Sequence, residues 1–420
     1  MSIKEITQRK ITIVDRPCGT GKTTHILNSF KPDRKYLVIV PLLSEVERVI
    51  EDASVPFVQP TIEECNSKTE SLIELLIEGK NIVTTHQLYP KLPEADRQHL
   101  LDDYHIIIDE VLDVVGSGNQ IKPDSFSDIY IKNGYVYEDE HTGKIIPTKK
   151  WDDCKDGVDD TLCPRFYEQA RSGCLYHVNG RFFLWAMPTK VLTSGRSLTV
   201  YTYLAEGSMF TAYLKKKGIF YYHDRNIQAD LDFRKRAQQL ITIESIPSID
   251  KFNFSSTGQK NMNKDTRGKV STAIKNFASR VLKGIPKERI AITCSKEHWY
   301  KKGQSDRDVK KPKAGPFSTK TGLLNKTNWL PNTTRGTNDY IHVTHMIYLW
   351  DQHMNPFLVR WLEFDKGNSK AQNDYATSEL IQWIYRSQVR KGLPITVYIP
   401  SGRMRNLLES WLDGDDLQAR

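Results

Sequence analysis

The run Asp15-Arg16-Pro17-Cys18-Gly19-Thr20-Gly21-Lys22-Thr23-Thr24 sets two glycines, a lysine and adjacent hydroxyl side chains close together. Residues of these types at this spacing suit a polyphosphate. Gly19 and Gly21 can take positive φ and let the backbone approach closely, so that its N–H groups turn toward the anion. Lys22 then reaches the β- and γ-phosphates, and the Thr23 hydroxyl is a ligand for Mg²⁺. A second set is Asp109-Glu110, two carboxylates that end the apolar run His105-Ile106-Ile107-Ile108. Asp109 can hold the divalent cation and Glu110 can position the attacking water. The third set is Gln382, Arg386 and Arg390, spaced four apart. On a helix they share one face, which reads either as a basic surface stripe or as guanidinium groups offered to charge developing on a γ-phosphate.

These groups work only if the chain positions them. Ile11-Thr12-Ile13-Val14 reads as a strand and His25 to Phe30 as a helix, so the glycine run lies in a strand–loop–helix context. Arg16 stands where such loops commonly begin with glycine. Lys35 to Val40, Asn81 to His86 and His105 to Asp109 read as further strands, with helical spacing over Leu42 to Ala53 and over residues 62–79. Alternation of this kind predicts an α/β fold with a parallel sheet, whose ligands bind at the carboxyl ends of the strands.

Residues 116–195 read as a β-rich insertion. Asn133-Gly134 predicts a hairpin over Tyr130 to Tyr137, and Asn179-Gly180 a second over Tyr176 to Trp185. Phe182, Phe183 and Trp185 either stack on bases or, the commoner use, fill the insertion's own core. Ser197 to Leu204 returns to the sheet. A helix over 206–217 ends in Lys215-Lys216-Lys217, which complements the helix dipole. The pattern loosens over 225–265, placing a boundary near 240 and domains at 1–240 and 241–420. The second unit holds a helix over Lys269 to Leu282, a strand over Glu288 to Ser295, a mobile basic loop at 300–320, a strand over Tyr340 to Leu349, a helix over Thr377 to Lys391, a strand over Ile395 to Ile399 and a last helix through Trp411.

The 420 residues carry 60 Lys+Arg against 51 Asp+Glu, a net charge of +9 that permits a polyanionic partner without requiring one. Met1 to Glu5 lacks the apolar core of a signal peptide, and no uncharged apolar run approaches about 18 residues, so a soluble, cytoplasmic protein without membrane contact is expected. The six cysteines, at 18, 65, 154, 163, 174 and 294, form no Cys-x-x-Cys pair. Cys174 and His177, with Cys154 and Cys163 upstream, make a weak zinc pattern, and free thiols are the better reading.

In their order along the chain these motifs resemble those of superfamily 2 helicases, the DExx-box group, and within it the compact phage-type enzymes. The resemblance runs from about residue 10 to residue 400 through short motifs. Motif I is similar to Pro17-Cys18-Gly19-Thr20-Gly21-Lys22-Thr23, with Thr24 following, and motif II to Asp109-Glu110-Val111-Leu112. Pro41-Leu42-Leu43-Ser44 resembles motif Ia and Thr84-Thr85-His86 the next strand-end contact, so Pro41, Leu42, Ser44, Thr85 and His86 are implied to touch the nucleic-acid backbone. Thr202-Tyr203 occupies the place of motif III, and Ile292-Thr293-Cys294-Ser295 that of motif IV. Thr334-Arg335-Gly336-Thr337-Asn338 resembles motif V, implying strand contacts from Thr334, Arg335 and Asn338 and nucleotide contacts from Gly336 and Asp339. Gln382, Arg386 and Arg390 resemble motif VI. Motif VI usually has glycine before its first arginine and three-residue spacing; here Tyr385 and four-residue spacing stand instead, leaving the finger open between Arg386 and Arg390. No adenine-reading glutamine motif precedes the loop beyond a lone Gln8, which argues against the DEAD-box RNA group.

The resemblance implies two tandem RecA-like domains with a β-rich insertion in the first. It implies ATP and Mg²⁺ as cofactors, and movement along single-stranded, forked or junction DNA beside replication or recombination proteins, in the host cytoplasm if phage-encoded. An ATP-switched DNA-binding protein and an RNA helicase are the rival readings.

Overall fold

The computed structural model describes residues 11–415 apart from residues 64, 93–99, 118–122, 155–163, 181, 305–311, 325, 335–337 and 365–369. The chain separates into two compact units. Unit 1 takes Met1–Asp15, Gly21–Asp224 and Asn355–Asn368; unit 2 takes Arg16–Thr20, Arg225–Met354 and Ser369–Arg420.

Unit 1 is built on a six-stranded sheet. Its strands are β1 (Ile11–Asp15), β2 (Lys35–Val40), β3 (Ile82–Thr85) and β4 (Tyr104–Asp109), joined after the insertion strands β5 (Val115–Ser117), β6 (Val136–Glu138), β7 (Ile145–Pro147), β8 (Leu175–Val178) and β9 (Phe182–Ala186) by β10 (Ser197–Thr202) and β11 (Tyr222–Arg225). The spatial order is β11-β1-β10-β4-β2-β3. The pairs β1–β10, β10–β4, β4–β2 and β2–β3 are all parallel. A parallel sheet covered by helices on both faces needs nearly continuous apolar strands, and Leu37, Val38, Ile39, Val40, Ile106, Ile108 and Val200 are accordingly buried. The register matters for chemistry, because Asp15 lies level with Thr202 and Asp109 with Tyr201. Every polar residue that ends these strands therefore arrives at one edge.

The insertion partly departs from expectation. Leu175–Val178 and Phe182–Ala186 pair as a hairpin, turning through Asn179 (φ 54) and Gly180 (φ 64) as an Asn-Gly turn demands. The hairpin expected over Tyr130 to Tyr137 is absent. Phe126–Ile131 is helical, and Asn133 Nδ2 donates to the carbonyls of Asp128 and Ile129, so this Asn-Gly pair ends a helix instead of turning a hairpin. The hairpin there is β6 with β7, around residues 139–144. Phe126, Tyr130, Trp151, Phe166 and Phe183 form a common core, so Phe183 takes the packing use, while Phe182 and Trp185 stay half-buried outside it. The helix Pro356–Leu362 lies far along the sequence yet belongs to unit 1. Phe357 stacks on Phe182 with ring centroids 4.9 Å apart, and Lys217 lies over the Trp361 ring.

Unit 2 is a five-stranded parallel sheet of β12 (Ile241–Glu244), β13 (Ile290–Thr293), β14 (Asn328–Trp329), β15 (His345–Tyr348) and β16 (Ile395–Tyr398), in the order β12-β16-β15-β13-β14. The helix Lys264–Arg280 covers it, burying Val270, Ile274, Phe277 and Ala278. Where loosened structure was expected, Ile227–Leu240 is a helix capped by the Asn226 side chain on the Ala229 N–H. Its Phe233 and Arg234 face Trp411. The strand expected from Tyr340 starts only at His345. The basic segment at 300–320 is anchored beyond residue 311: Phe317 is buried in the unit 2 core, and the Gly315 N–H bonds the Trp299 carbonyl at 2.8 Å. The part of that loop at 305–311 lies outside the described residues. Among the described residues no helix is long and apolar enough to cross a membrane.

Candidate nucleotide site

The glycine loop leaves β1 at Asp15 and enters the helix Lys22–Asn28. Gly19 and Gly21 have φ values of 75° and 78°, the left-handed region in which side-chain-bearing residues are strained. Thr20 Oγ1 donates to the Pro17 carbonyl at 2.9 Å and closes the turn. A Cβ built on Gly21 would meet nothing within 4 Å, so the loop is open beside it. Cys18 is half-buried, and Thr24 is exposed.

Behind the loop, Thr23 Oγ1 donates to Asp109 Oδ2 at 2.9 Å, and Lys22 Nζ is 3.8 Å from Glu110 Oε1. The four residues come from the loop helix and the end of β4, and the strand register brings them together. Burial pushes the Asp109 carboxyl up to about 6; the neighbouring Glu110 charge adds to the rise, while Lys22 and the Thr23 hydroxyl oppose it. Glu110 has φ 64, a conformation that costs a non-glycine residue about 1–3 kcal/mol. Its N–H is fixed on the Tyr201 carbonyl at 2.8 Å.

Asp15 has no role in the sequence motifs, yet it is buried at the end of β1. Its buried carboxylate accepts the N–H groups of Leu204 and Ala205 at 2.9 and 3.1 Å and lies 3.0 Å from His223 Nε2. Leu204 has φ 56, so Asp15 holds the left-handed turn that follows Thr202-Tyr203. A carboxylate ending an apolar strand, the feature that marked Asp109, was also present at Asp15. His223 carried no such signal.

The other expected residues fall as follows. Pro41 and Leu42 are half-buried and Ser44 exposed at the end of β2. Thr85 and His86 end β3, but the His86 ring is turned to the Asp109 carbonyl, with Nε2 at 2.9 Å. In unit 2, Thr334 is half-buried and Asn338 and Asp339 are exposed, whereas Arg335 and Gly336 lie outside the described residues. Arg386 and Arg390 do not share a helix face. The helix Lys370–Ile384 stops before them, and Gln388–Lys391 is a separate 3₁₀ turn. Ser387 is the cause: its hydroxyl donates to the Ile384 carbonyl at 2.7 Å and caps the Val389 N–H. Gln382 is buried with its amide on Ser378 Oγ, Arg386 is buried, and Arg390 is exposed. Gly19, which clusters with unit 2, approaches Arg390; a Cβ on Gly19 would lie 3.4 Å from Arg390 Cγ.

A zinc site is not built from the described residues. His177 Nδ1 pairs with Glu138 at 2.9 Å, neither Cys154 nor Cys174 is in a disulfide, and no group of three or more His, Cys, Asp or Glu side chains among the described residues is arranged to hold a metal. Cys163 lies outside the described residues. The Thr23–Asp109 pair, one hydroxyl and one carboxylate beside an open loop, fits Mg²⁺ of the kind that takes its remaining ligands from phosphate and water.

A family model described as the YonV C-terminal Rossmann-like domain matches residues 235–412. The SPbeta prophage-derived uncharacterized protein YonV of Bacillus subtilis (strain 168) is 26% identical over 435 residues, spanning 96% of this chain and 99% of that protein. Among solved structures, that of XPD in its apo form is similar with a TM-score of 0.52 at 12% identity, over 98% of this chain and 97% of that one. The S. tokodaii Xpd4 structure matches at a TM-score of 0.45 and 10% identity, over 97% and 94%. Two α/β sheets, each with its own helical cover, give this chain the fold of two RecA-like domains, as its likeness to the XPD structure shows.

Proposed function

We propose that this chain is an ATP-dependent DNA helicase or translocase, which couples hydrolysis to movement along single-stranded DNA and to opening of duplexes or junctions. The observation that carries the reading is the pairing of Thr23 with Asp109 and of Lys22 with Glu110 along one row of strand ends. Backbone N–H groups of Pro17–Thr24 would cradle the polyphosphate, and Lys22 would neutralise its outer charges. Thr23 and Asp109 would hold Mg²⁺, which when bound supplies charge neutralisation at the β- and γ-phosphates. Glu110 would accept the proton of the attacking water. Of the two arginines, Arg390 suits the finger, being exposed and close to Gly19, while Arg386 and Gln382 support it from within the unit 2 core; Gly336 and Asp339 complete the nucleotide contacts. Pro41, Leu42, Ser44, Thr85, Thr334, Arg335 and Asn338 would track the strand backbone. DNA is favoured because no adenine-reading glutamine motif of the DEAD-box RNA type precedes the loop.

The test is ATP hydrolysis titrated with single-stranded DNA, duplex DNA and RNA, for wild type and for Lys22→Ala, Arg386→Ala and Arg390→Ala. Stimulation by single-stranded DNA, loss of about 10²- to 10³-fold in kcat in Lys22→Ala and a larger kcat loss in Arg390→Ala than in Arg386→Ala are expected. Stimulation by RNA alone would replace the substrate. Turnover indifferent to every strand would point to an ATP-switched binding protein.

A further inference from the structure

The Asp109 carbonyl and the Glu110 N–H belong to one peptide plane, and that plane is held from both sides. On one side the Glu110 N–H donates to the Tyr201 carbonyl at 2.8 Å, from the end of β10. On the other, the Asp109 carbonyl lies 2.9 Å from His86 Nε2, from the end of β3. A carbonyl oxygen can only accept, so His86 must carry its proton on Nε2. Fixing the plane fixes ψ of Asp109 and φ of Glu110, and φ of Glu110 is the strained left-handed value of 64°. The direction of the Glu110 carboxylate, 3.8 Å from Lys22 Nζ, therefore depends on two hydrogen bonds. One comes from sheet backbone. The other comes from a side chain in a loop.

The loop that carries His86 is itself tied to its neighbour: the His86 N–H donates to the Val40 carbonyl at 3.0 Å, immediately before Pro41-Leu42. Thr85, beside His86, is half-buried, and Leu43 and Ser44 of the adjoining segment are exposed. Displacement of either loop end moves the imidazole, and with it one of the two restraints on a strained peptide.

We propose that His86 is a positioning residue which transmits strand occupancy at the Pro41–Ser44 and Thr85–His86 loop ends to the orientation of Glu110. This rests on the reading of Glu110 as the residue that activates water. It assigns His86 to the coupling between strand and hydrolysis, acting through the Asp109 carbonyl, rather than to strand contact alone. Misplacement of a reacting group by about 1 Å can cost on the order of 10²-fold in rate, which sets the scale of the effect.

The experiment compares wild type with His86→Ala, His86→Phe, which keeps a ring but no donor, and His86→Gln, which keeps a donor. Three quantities are measured on the intact chain: affinity for a fluorescent ATP analogue, basal kcat, and kcat with saturating single-stranded DNA. Alanine and phenylalanine are expected to bind nucleotide as wild type does, to lose the DNA-stimulated part of kcat by about 10- to 100-fold, and to keep KM for ATP; glutamine is expected to restore stimulation. Full stimulation in the alanine and phenylalanine variants overturns the inference. So does melting of both, or loss of nucleotide binding in both, because either assigns His86 a purely structural role. Glu110→Gln run alongside separates the two levels. If it turns over normally, the reading of the site itself fails; if it is inactive while His86→Ala is fully stimulated, only the coupling fails.

Discussion

At the carboxyl ends of the six-stranded sheet, Asp109 and Glu110 meet Thr23 and Lys22, Glu110 and Leu204 hold positive φ, and burial raises the Asp109 carboxyl to about 6. At the corresponding ends of the five-stranded sheet Gln259 and Asp351 are matched by partners of their own unit, although the Thr293 and Tyr348 hydroxyls that end β13 and β15 are buried without one. Gln259, fully buried, donates to the carbonyls of Phe254 and Leu349 and accepts the Ser295 N–H, which ties β13 and β15 together. Asp351 shows the contrast most directly. Burial works against its charge as it does at Asp109, but His353 and Arg403, the latter at 2.8 Å, prevail and hold its carboxyl below the usual range. At the half-buried Asp351 the cations of its own unit outweigh burial; at the buried Asp109, Lys22 and the Thr23 hydroxyl do not, which leaves a need that a bound Mg²⁺ would meet. Strain at Glu110 and an unmet charge at Asp109 distinguish the first edge, and the satisfied bonds of Gln259 and Asp351 the second.

The contrast breaks first at Glu110. Glu110→Gln should lower kcat for ATP hydrolysis by roughly 10²- to 10⁴-fold, while the thermal midpoint stays level or rises because a like charge beside Asp109 is removed. Calorimetry paired with a turnover assay checks this, and a large fall in both would erase the distinction between the two edges.

Gln259→Leu is the converse. Three buried backbone groups lose their partner, and stability measured by denaturant unfolding should fall by about 3 kcal/mol, with kcat per folded molecule unchanged. A variant that stays stable but turns over slowly would show that the second edge also takes part in the reaction.

The smallest effect is on pH. The folded Asp109 carboxyl, near 6 against an ordinary 3.8, favours the protonated form. Its contribution to stability is therefore present below about pH 3.8 and is lost as pH rises through 6. Mg²⁺ bound at Asp109 would compete with that proton, so its affinity should weaken about tenfold per unit below pH 6. Asp109→Asn should remove both dependences. Mg²⁺ binding followed by calorimetry between pH 5 and 8 reads them, and a flat profile in the wild type would mean that Asp109 is not the ligand.

Both sheets were legible in the sequence because parallel strands buried on two faces must be continuously apolar, and Lys35 to Val40, His105 to Ile108 and Ile395 to Ile399 say so directly. The glycine loop between β1 and its helix was legible because glycine takes the φ values found at 19 and 21 without strain. Local patterns were poorer guides where a single side chain chose between structures. Asn133-Gly134 ends a helix because the Asn133 amide finds free helical carbonyls. Arg386 and Arg390 part company because Ser387 breaks the helix between them.

The sequence by itself determined which residue types could handle a polyphosphate and which strands would carry them to one edge, because glycine freedom and apolar continuity are local properties of the chain. Only the tertiary structure decided which of those residues meet. Strand register set Asp109 level with Tyr201 and Asp15 level with Thr202. Chain crossings brought His86 to the Asp109 carbonyl and His223 to Asp15. Such contacts join positions far apart in the chain, and no local spacing encodes them.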